Sequence, residues 1–247
     1  MSKPGFTRTV VKPRYALLTP DGFVPSRLPG WENVTAIVNI SPAMGARFSQ
    51  LQISFGKKGE GKGSTGGLEY FVYVLEGGCK GRISGKSANF SAGAFAFIPP
   101  KTGFHFTGAE DCRLLIFQKR FEPLRGQKIP KPLVGHERHI VGQPFLGNKN
   151  ARLQVLLPDD LAFDLAVNIF TYQSGATLPF VETHIMEHGL LMLKGHGIYW
   201  LDADTHPVKE GDAIWMAPYC PQWFVARDKK PSSYIYYKDV NRAPLAG

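Results

Sequence analysis

The sequence contains one strand-and-turn pattern twice, and this repeat constrains the fold more than any other feature. The segment SAGAFAFIPP in the first half has the same turn glycine and strand-ending proline as KEGDAIWMAP in the second half. One shift of 118 residues relates three pairs of such positions: Gly77 and Gly195, Gly93 and Gly211, and Pro100 and Pro218. A repeat at a fixed spacing indicates one structural module used twice.

Both modules are predicted to consist of β-strands. Short apolar or alternating runs recur between Gly, Pro, Asn and Asp, as at Tyr15–Leu18 and Val34–Ile40, while helical periodicity is scarce. This pattern is typical of an antiparallel sandwich or barrel. We therefore predict an all-β protein with modules at residues 1–125 and 126–247, joined by a linker from about Phe121 to Gln143.

The second module contains a carboxylate and two imidazoles within a short extended segment. Alternate side chains of a strand share a face, so Glu182, His184 and His188 point the same way. These ligand types, without a thiolate, suit a divalent ion such as manganese, iron, nickel or zinc. The alternative is a set of ordinary polar residues, but burying them unpaired would cost several kcal/mol. We therefore expect a metal site here.

The same argument from strand phase applies to the segment SSYIYYKDV near the C-terminus. Tyr234, Tyr236 and Lys238 share one face of this predicted strand. A lysine that points into an apolar barrel would need an anionic partner. The alternative is a lysine at a solvent-facing edge.

The first module lacks the candidate ligands. Shifted by 118 residues, they fall on Ser64, Gly66 and Tyr70, and the isolated His105 is interpreted as structural. We expect this module to serve packing, oligomer contacts or one wall of the pocket. Its glycine-rich segment Gly56–Gly67 does not match a phosphate-binding loop, because Gly63 replaces the required Ser or Thr, and it is predicted to be a mobile surface loop.

Composition excludes several classes of function. The net charge of +9 is spread through the predicted loops, which argues against nucleic-acid binding and allows an anionic small substrate. The sequence has neither an apolar run of about 18 residues nor a secretory signal, so we expect no membrane association and a cytoplasmic location. Three cysteines without a C-x-x-C motif indicate a reducing compartment and no disulfide scaffold.

The spacing of the glycines and candidate ligands resembles the cupin superfamily. The pattern combines Gly175, Glu182-x-His184-x-x-x-His188 and Gly195 with Gly211 and a later Gln222. Cupins are small β-barrels whose two motifs supply metal ligands from facing strands. The resemblance therefore implies two barrels in tandem, a bicupin.

The order of the ligands resembles one cupin family in particular. Glu182 stands at the usual first histidine, His188 at the usual glutamate and Gln222 at the histidine of the second motif. This permutation, with the segments YALLTPDGFV, LPGWENV, ISPAMGARF and YKDVNRAPL, is similar to the ureidoglycine aminohydrolase family of allantoin degradation. The resemblance extends over nearly the whole chain.

The resemblance implies release of ammonia from (S)-ureidoglycine, giving (S)-ureidoglycolate, at a manganese ion. It implies Glu182, His184, His188 and Gln222 as metal ligands, and Glu182, Lys238 and Tyr199 as catalytic residues. Lys238 would bind the substrate carboxylate or assist proton transfer, and Tyr199 would hydrogen-bond the ureido group. Tyr234 and Tyr236 would complete the substrate site. Cupins commonly cover exposed strand edges by self-association, so we also expect a homo-oligomer.

Two other functions remain open at this point. Two histidines and a carboxylate are also the ligands of non-haem iron oxygenases, although a fourth protein ligand leaves fewer open positions. A bicupin can also bind a small molecule without turnover, because function depends on the site and not on the fold.

Overall fold

The computed structural model describes residues 6–242, which fold into β-strands, three short 3₁₀ helices and turns. The strands of the first half are β1 (Val10–Val11), β2 (Tyr15–Leu18), β3 (Pro25–Ser26), β4 (Trp31–Ile40), β5 (Phe48–Ser64), β6 (Leu68–Glu76), β7 (Gly78–Ile83), β8 (Lys86–Ser91), β9 (Ala94–Ile98), β10 (Gly103–Gly108) and β11 (Arg113–Arg120). Those of the second half are β12 (Leu133–His136), β13 (Gln143–Phe145), β14 (Asn148–Val155), β15 (Leu165–Tyr172), β16 (His188–Lys194), β17 (His196–Leu201), β18 (Asp204–Lys209), β19 (Ala213–Met216), β20 (Gln222–Ala226) and β21 (Ser232–Asp239).

The 3₁₀ helices span Pro20–Gly22, Pro42–Met44 and Glu137–His139. No helix within residues 6–242 is long and apolar enough to span a membrane. The all-β class predicted from the sequence is confirmed.

The chain forms two compact units. The described part of the C-terminal unit comprises residues 6–23, Val141–Pro158 and residues 165–242. The N-terminal unit comprises Val24–Ile140 and Asp159–Asp164. These limits differ from the predicted modules 1–125 and 126–247, because β2 pairs with β19 of the C-terminal unit and β12 pairs with β9 of the N-terminal unit.

The C-terminal unit contains two sheets. One has eight strands in the order β1-β2-β19-β16-β21-β15-β14-β13, and the other has three in the order β18-β17-β20. Buried apolar side chains of both sheets form a single core, with Leu190 and Ile214 from the larger sheet and Leu201 and Phe224 from the smaller one. Most functional residues described below lie on strands of these sheets, but Glu182 and His184 lie in the irregular segment before β16. The prediction that Glu182, His184 and His188 share one strand was therefore wrong.

An N-terminal segment completes the larger sheet of the C-terminal unit. Strand β2 pairs with β19, which places Tyr15 opposite Met216. Earlier in the chain, Arg8 forms a bidentate ion pair with the fully buried Asp212, with nitrogen–oxygen distances of 2.7 and 2.8 Å. Exposed pairs of Lys12 with Asp204 and Arg14 with Asp202 add further contacts. These long-range pairings explain why the segment belongs to the C-terminal unit.

The N-terminal unit is built around one sheet in the order β12-β9-β6-β11-β5-β10-β7-β8, with β4 and β3 attached beside β5. Strand β5 pairs with β11 over Phe48–Ser54 and with β10 over Glu60–Ser64. The prediction of a mobile loop at Gly56–Gly67 was therefore wrong up to Ser64. A side-chain carbon at Gly61 would lie 2.1 Å from the Trp31 ring, so glycine is needed there for packing.

The predicted linker is also partly structured. Strand β12, within the segment Phe121–Gln143, pairs with β9 and extends the sheet of the N-terminal unit. Residues Asp159–Asp164 return to the same unit, where the buried Lys119 Nζ contacts the Asp164 carboxylate at 2.5 Å. The same carboxylate accepts the backbone N–H of Glu122 at 2.7 Å. A linker prediction based on Pro and Gly content misses such pairings because they depend on distant strands.

Candidate active site

Two pairs of neighbouring segments bring the predicted site residues together. Glu182 and Gln222 form an isolated antiparallel bridge, in which the backbone N–H of each residue donates to the backbone carbonyl of the other, at 2.8 and 2.9 Å. His188 begins β16 and lies directly opposite Lys238 of β21. Because alternate residues of a strand share a face, Tyr236 lies on the same side as Lys238.

These segments enclose a cavity of about 120 Å³ in the C-terminal unit. All eight side chains singled out in the sequence line it: Glu182, His184, His188, Tyr199, Gln222, Tyr234, Tyr236 and Lys238. The other lining residues are largely apolar: Phe145, Leu153, Phe170 and Met186. The structure thus brings the complete predicted set to one small site.

The two imidazoles stack with their ring centroids 4.7 Å apart and their planes at 29°. His184 Nδ1 donates to the Met186 carbonyl at 3.0 Å, so its Nε2 carries the lone pair and accepts from Gln222 Nε2 at 3.3 Å. His188 Nε2 is buried and has no hydrogen-bond partner within residues 6–242. A buried polar atom without a partner requires an explanation, and a bound ligand is one.

Burial sets the protonation of these groups. Desolvation lowers the pKa of His184, and it lowers the pKa of the fully buried His188 well below its ordinary value, with the charge of Lys238 acting in the same direction. Both rings are therefore neutral near pH 7, the form that binds metals. Desolvation raises the pKa of Glu182, and the charge of Lys238 partly offsets that rise.

The donor types fit a divalent cation. Two neutral imidazoles, a carboxylate and an amide oxygen are ligands of intermediate to hard character, and the buried His188 Nε2 needs a partner. Within residues 6–242, however, no three His, Cys, Asp or Glu side chains are already grouped to hold a metal ion. The four-residue ligand set therefore stays a prediction.

Tyrosine hydroxyls line the opposite part of the cavity. Tyr199 donates to Gln222 Oε1 at 3.3 Å, and the hydroxyls of Tyr172 and Tyr234 lie 3.0 Å apart. Burial raises the pKa of Tyr199, Tyr234 and Tyr236, so these phenols keep their protons at neutral pH. They are equipped to donate hydrogen bonds to an oxygen-bearing ligand.

Comparisons with known proteins identify the family. No family model matches the chain. The chain is 37% identical over 245 residues to the probable (S)-ureidoglycine aminohydrolase of Oryza sativa subsp. japonica, covering 98% of this chain and 78% of that protein. It is 36% identical to the (S)-ureidoglycine aminohydrolase of Arabidopsis thaliana, covering 98% and 81% of the two chains. The Escherichia coli enzyme of the same name is 35% identical, with coverage of 95% and 92%. The chain belongs to the (S)-ureidoglycine aminohydrolase family.

Solved structures confirm the fold of this family member. The E. coli protein Ylba matches with a TM-score of 0.85 and 34% identity, covering 96% of this chain and 95% of that one. An oxalate decarboxylase variant of Bacillus subtilis matches with a TM-score of 0.71 at 8% identity, covering 92% and 78%. A cupin 2 conserved barrel domain protein of Leptotrichia buccalis matches with a TM-score of 0.62 at 14% identity, covering 88% and 92%. The last two likenesses show the fold alone, and that fold is the predicted bicupin.

Sequence reasoning missed several side chains at this family member's site. Asn168 and Tyr172 of β15 are buried and hydrogen-bond to Tyr236 and Tyr234. Strand phase could have found them, since Asn168, Phe170 and Tyr172 alternate along one strand. Phe145 could not have been found in this way, because it lies at the end of a three-residue strand.

A larger opening lies elsewhere on the C-terminal unit. It is an exposed groove of about 800 Å³ beside β17 and β18, with Arg8, Lys209 and Arg227 among its lining residues. Size alone would favour it as a binding site. Of these two openings, the smaller cavity is the one whose lining combines imidazole, carboxylate, amide and phenol groups.

Proposed function

We propose that this chain releases ammonia from (S)-ureidoglycine and gives (S)-ureidoglycolate in allantoin degradation. The observation that carries the proposal is near full-length identity of 35–37% to three proteins with that name. The small cavity supports it independently. Its size suits a substrate of few atoms, and its lysine and phenols suit a carboxylate and a ureido group.

The reaction exchanges an amine for a hydroxyl at the carbon between the carboxylate and the ureido group. Water supplies the oxygen, the carbon–nitrogen bond breaks and ammonia leaves. We infer that Mn²⁺ is the metal, held by Glu182, His184, His188 and Gln222, because the carboxylate and amide oxygens are hard ligands of the kind that manganese takes. A bound divalent ion of this kind supplies Lewis acidity and a template for a chelating substrate.

Lys238 is the substrate-binding cation in this proposal. Its side chain lines the cavity next to His188, and within the cavity lining it is the only group with a positive charge when both histidines are neutral. An ammonium that faces a substrate carboxylate fixes the orientation of the reacting carbon. With that end fixed, the Tyr199 hydroxyl, which donates to Gln222 Oε1, accepts an N–H of the ureido group, and Tyr234 completes the substrate site.

Glu182 is the candidate for a ligand that also contacts the substrate. Its carboxyl lines the cavity beside the histidines, and burial raises its pKa in the metal-free protein. A bound cation would lower that pKa and keep the carboxylate charged, so the oxygen that does not hold the metal would accept a hydrogen bond from the substrate amine. The apolar wall of Phe145, Phe170 and Leu153 limits the access of bulk water to this contact.

The direct test is ammonia release from freshly generated ureidoglycine. Metal-stripped protein is assayed with and without added Mn²⁺, alongside Glu182→Ala and, as a control in the N-terminal unit, Glu60→Ala. We expect Mn²⁺-dependent release by the wild type and by Glu60→Ala, and none by Glu182→Ala. The proposal fails if the wild type releases no ammonia with any divalent metal.

Two alternative outcomes distinguish the rival functions. Consumption of dioxygen by the iron-loaded protein would favour a cupin dioxygenase. Binding of ureidoglycine in the presence of Mn²⁺ without turnover would favour a small-molecule-binding bicupin.

A further inference from the structure

Asn168 is connected to the active-site cavity by a hydrogen bond to Tyr236. The two residues face each other across β15 and β21, and Asn168 Nδ2 donates to the Tyr236 hydroxyl at 3.1 Å. Both are buried, with 4% of Asn168 and 6% of Tyr236 exposed. Asn168 does not line the cavity, whereas Tyr236 does.

The Tyr236 ring is held between two other rings. It stacks on His188 at 5.3 Å and 23°, and on Phe170 at 5.7 Å and 13°. Stacking fixes the plane of the ring, and with it the position of the hydroxyl oxygen. What stacking leaves free is the rotation of the hydroxyl hydrogen.

The hydrogen bond from Asn168 restricts the orientation of the Tyr236 hydroxyl hydrogen. A phenol oxygen that accepts an N–H directs its own hydrogen elsewhere, and because Tyr236 lines the cavity, that hydrogen can point to a bound ligand. The other end of the amide, Asn168 Oδ1, is buried without a partner. A half-satisfied amide in a core is costly, so its presence requires a reason beyond packing.

We propose that Asn168 is a positioning residue that makes the Tyr236 hydroxyl a hydrogen-bond donor to a substrate oxygen. The inference rests on the proposed function, and it assigns the ligand chemistry of this wall: a carbonyl or carboxylate oxygen, not an amine. Asn168 itself does not touch the substrate.

A double-mutant cycle of Asn168→Ala and Tyr236→Phe tests this coupling. Each single variant is expected to lower kcat/KM roughly tenfold, the size of one hydrogen bond. Because Asn168 acts through the hydroxyl, the double variant is expected to be no worse than Tyr236→Phe alone. The same cycle is measured by calorimetry for binding of (S)-ureidoglycolate to the Mn²⁺-loaded protein, and the same non-additivity is expected.

Two controls separate positioning from stability. Asn39 is also 4% exposed but lies in the N-terminal unit, so Asn39→Ala should leave kcat/KM unchanged. Thermal unfolding of every variant reports the folded fraction, and Asn168→Ser replaces Asn168→Ala if the latter does not fold. Additive losses in the cycle would overturn the inference. A wild type that releases no ammonia would overturn the proposed function instead, and the calorimetric cycle would then decide the coupling.

Discussion

The two units place different side chains at equivalent positions of the same strand register. In the C-terminal unit His188 lies opposite Lys238, and in the N-terminal unit the equivalent Tyr70 lies opposite Gln118. A histidine beside a lysine in a core requires a ligand or a partner. A tyrosine beside a glutamine does not.

The contrast extends to the facing strands. Gln222 corresponds to Phe104, whose ring packs on Tyr70 at a centroid distance of 5.6 Å. Tyr199 corresponds to Gly81, where a side-chain carbon would lie 2.6 Å from the Phe90 ring. Rings therefore occupy the interior of the N-terminal unit at the positions where the C-terminal unit has a polar cavity.

The comparison shows that one β framework can hold a site or a filled core. Which of the two forms depends on a few inward positions, while the equivalent turn glycines Gly77 and Gly195, and Gly93 and Gly211, have the same left-handed backbone conformation in both units. Variants that test this difference between the units range in expected effect from His188→Ala, the largest, to Tyr172→Phe, the smallest.

Replacing His188 by alanine removes a predicted ligand from the cavity. We expect a loss of activity of roughly a thousandfold or more, equal to about 4 kcal/mol of transition-state stabilisation. Ammonia release and manganese content measure the effect. His105→Ala in the N-terminal unit is the matched control, and an equal loss in that variant would contradict the contrast between the units.

Lys238→Met should weaken substrate binding, because the substrate carboxylate loses its cation. A loss of roughly a hundredfold in kcat/KM is expected, mostly in KM. Steady-state kinetics separate the two constants. As a control, Gln118→Met changes the equivalent position of the N-terminal unit and should have no kinetic effect. Unchanged turnover and affinity in Lys238→Met would rule out this role for the lysine.

Gly81→Ala should destabilise the protein without affecting the chemistry. The added methyl group would overlap the Phe90 and Phe106 rings, and overpacking of this kind costs about 2 kcal/mol. Chemical denaturation measures the free energy of unfolding. The folded fraction should retain the wild-type kcat, and a normal free energy of unfolding would show that the interior of this unit is not filled as described.

Tyr172→Phe should have the smallest effect. It removes the 3.0 Å contact between the Tyr172 and Tyr234 hydroxyls and leaves the ring packing intact. A net loss of about 1 kcal/mol corresponds to roughly a fivefold fall in kcat/KM. A fall larger than that of Lys238→Met would mean that Tyr172, and not the lysine, dominates substrate binding.

Strand alternation holds for Tyr234, Tyr236 and Lys238, which lie on β21, because it is a local property. It does not describe Glu182, His184 and His188, since only His188 lies on a strand and the other two line the cavity from the irregular segment before β16. The sequence also indicated the all-β class, because the spacing of turn residues is local too.

Pairing between distant strands was not predictable in the same way. Nothing in YALL indicates that β2 pairs with β19, or that the glycine-rich end of β5 pairs with β10. The glycines suggested a loop, whereas the structure uses them for close packing against Trp31. Asn168 was overlooked because its importance lies in a cross-strand contact with Tyr236.

The most direct test of the central claim is the manganese stoichiometry of the metal-stripped protein, measured by equilibrium dialysis. If chemistry belongs to the cavity of the C-terminal unit alone, the wild type and Tyr70→Phe bind one ion per chain and His188→Ala binds none. Two ions per chain, or full binding by His188→Ala, would contradict the account.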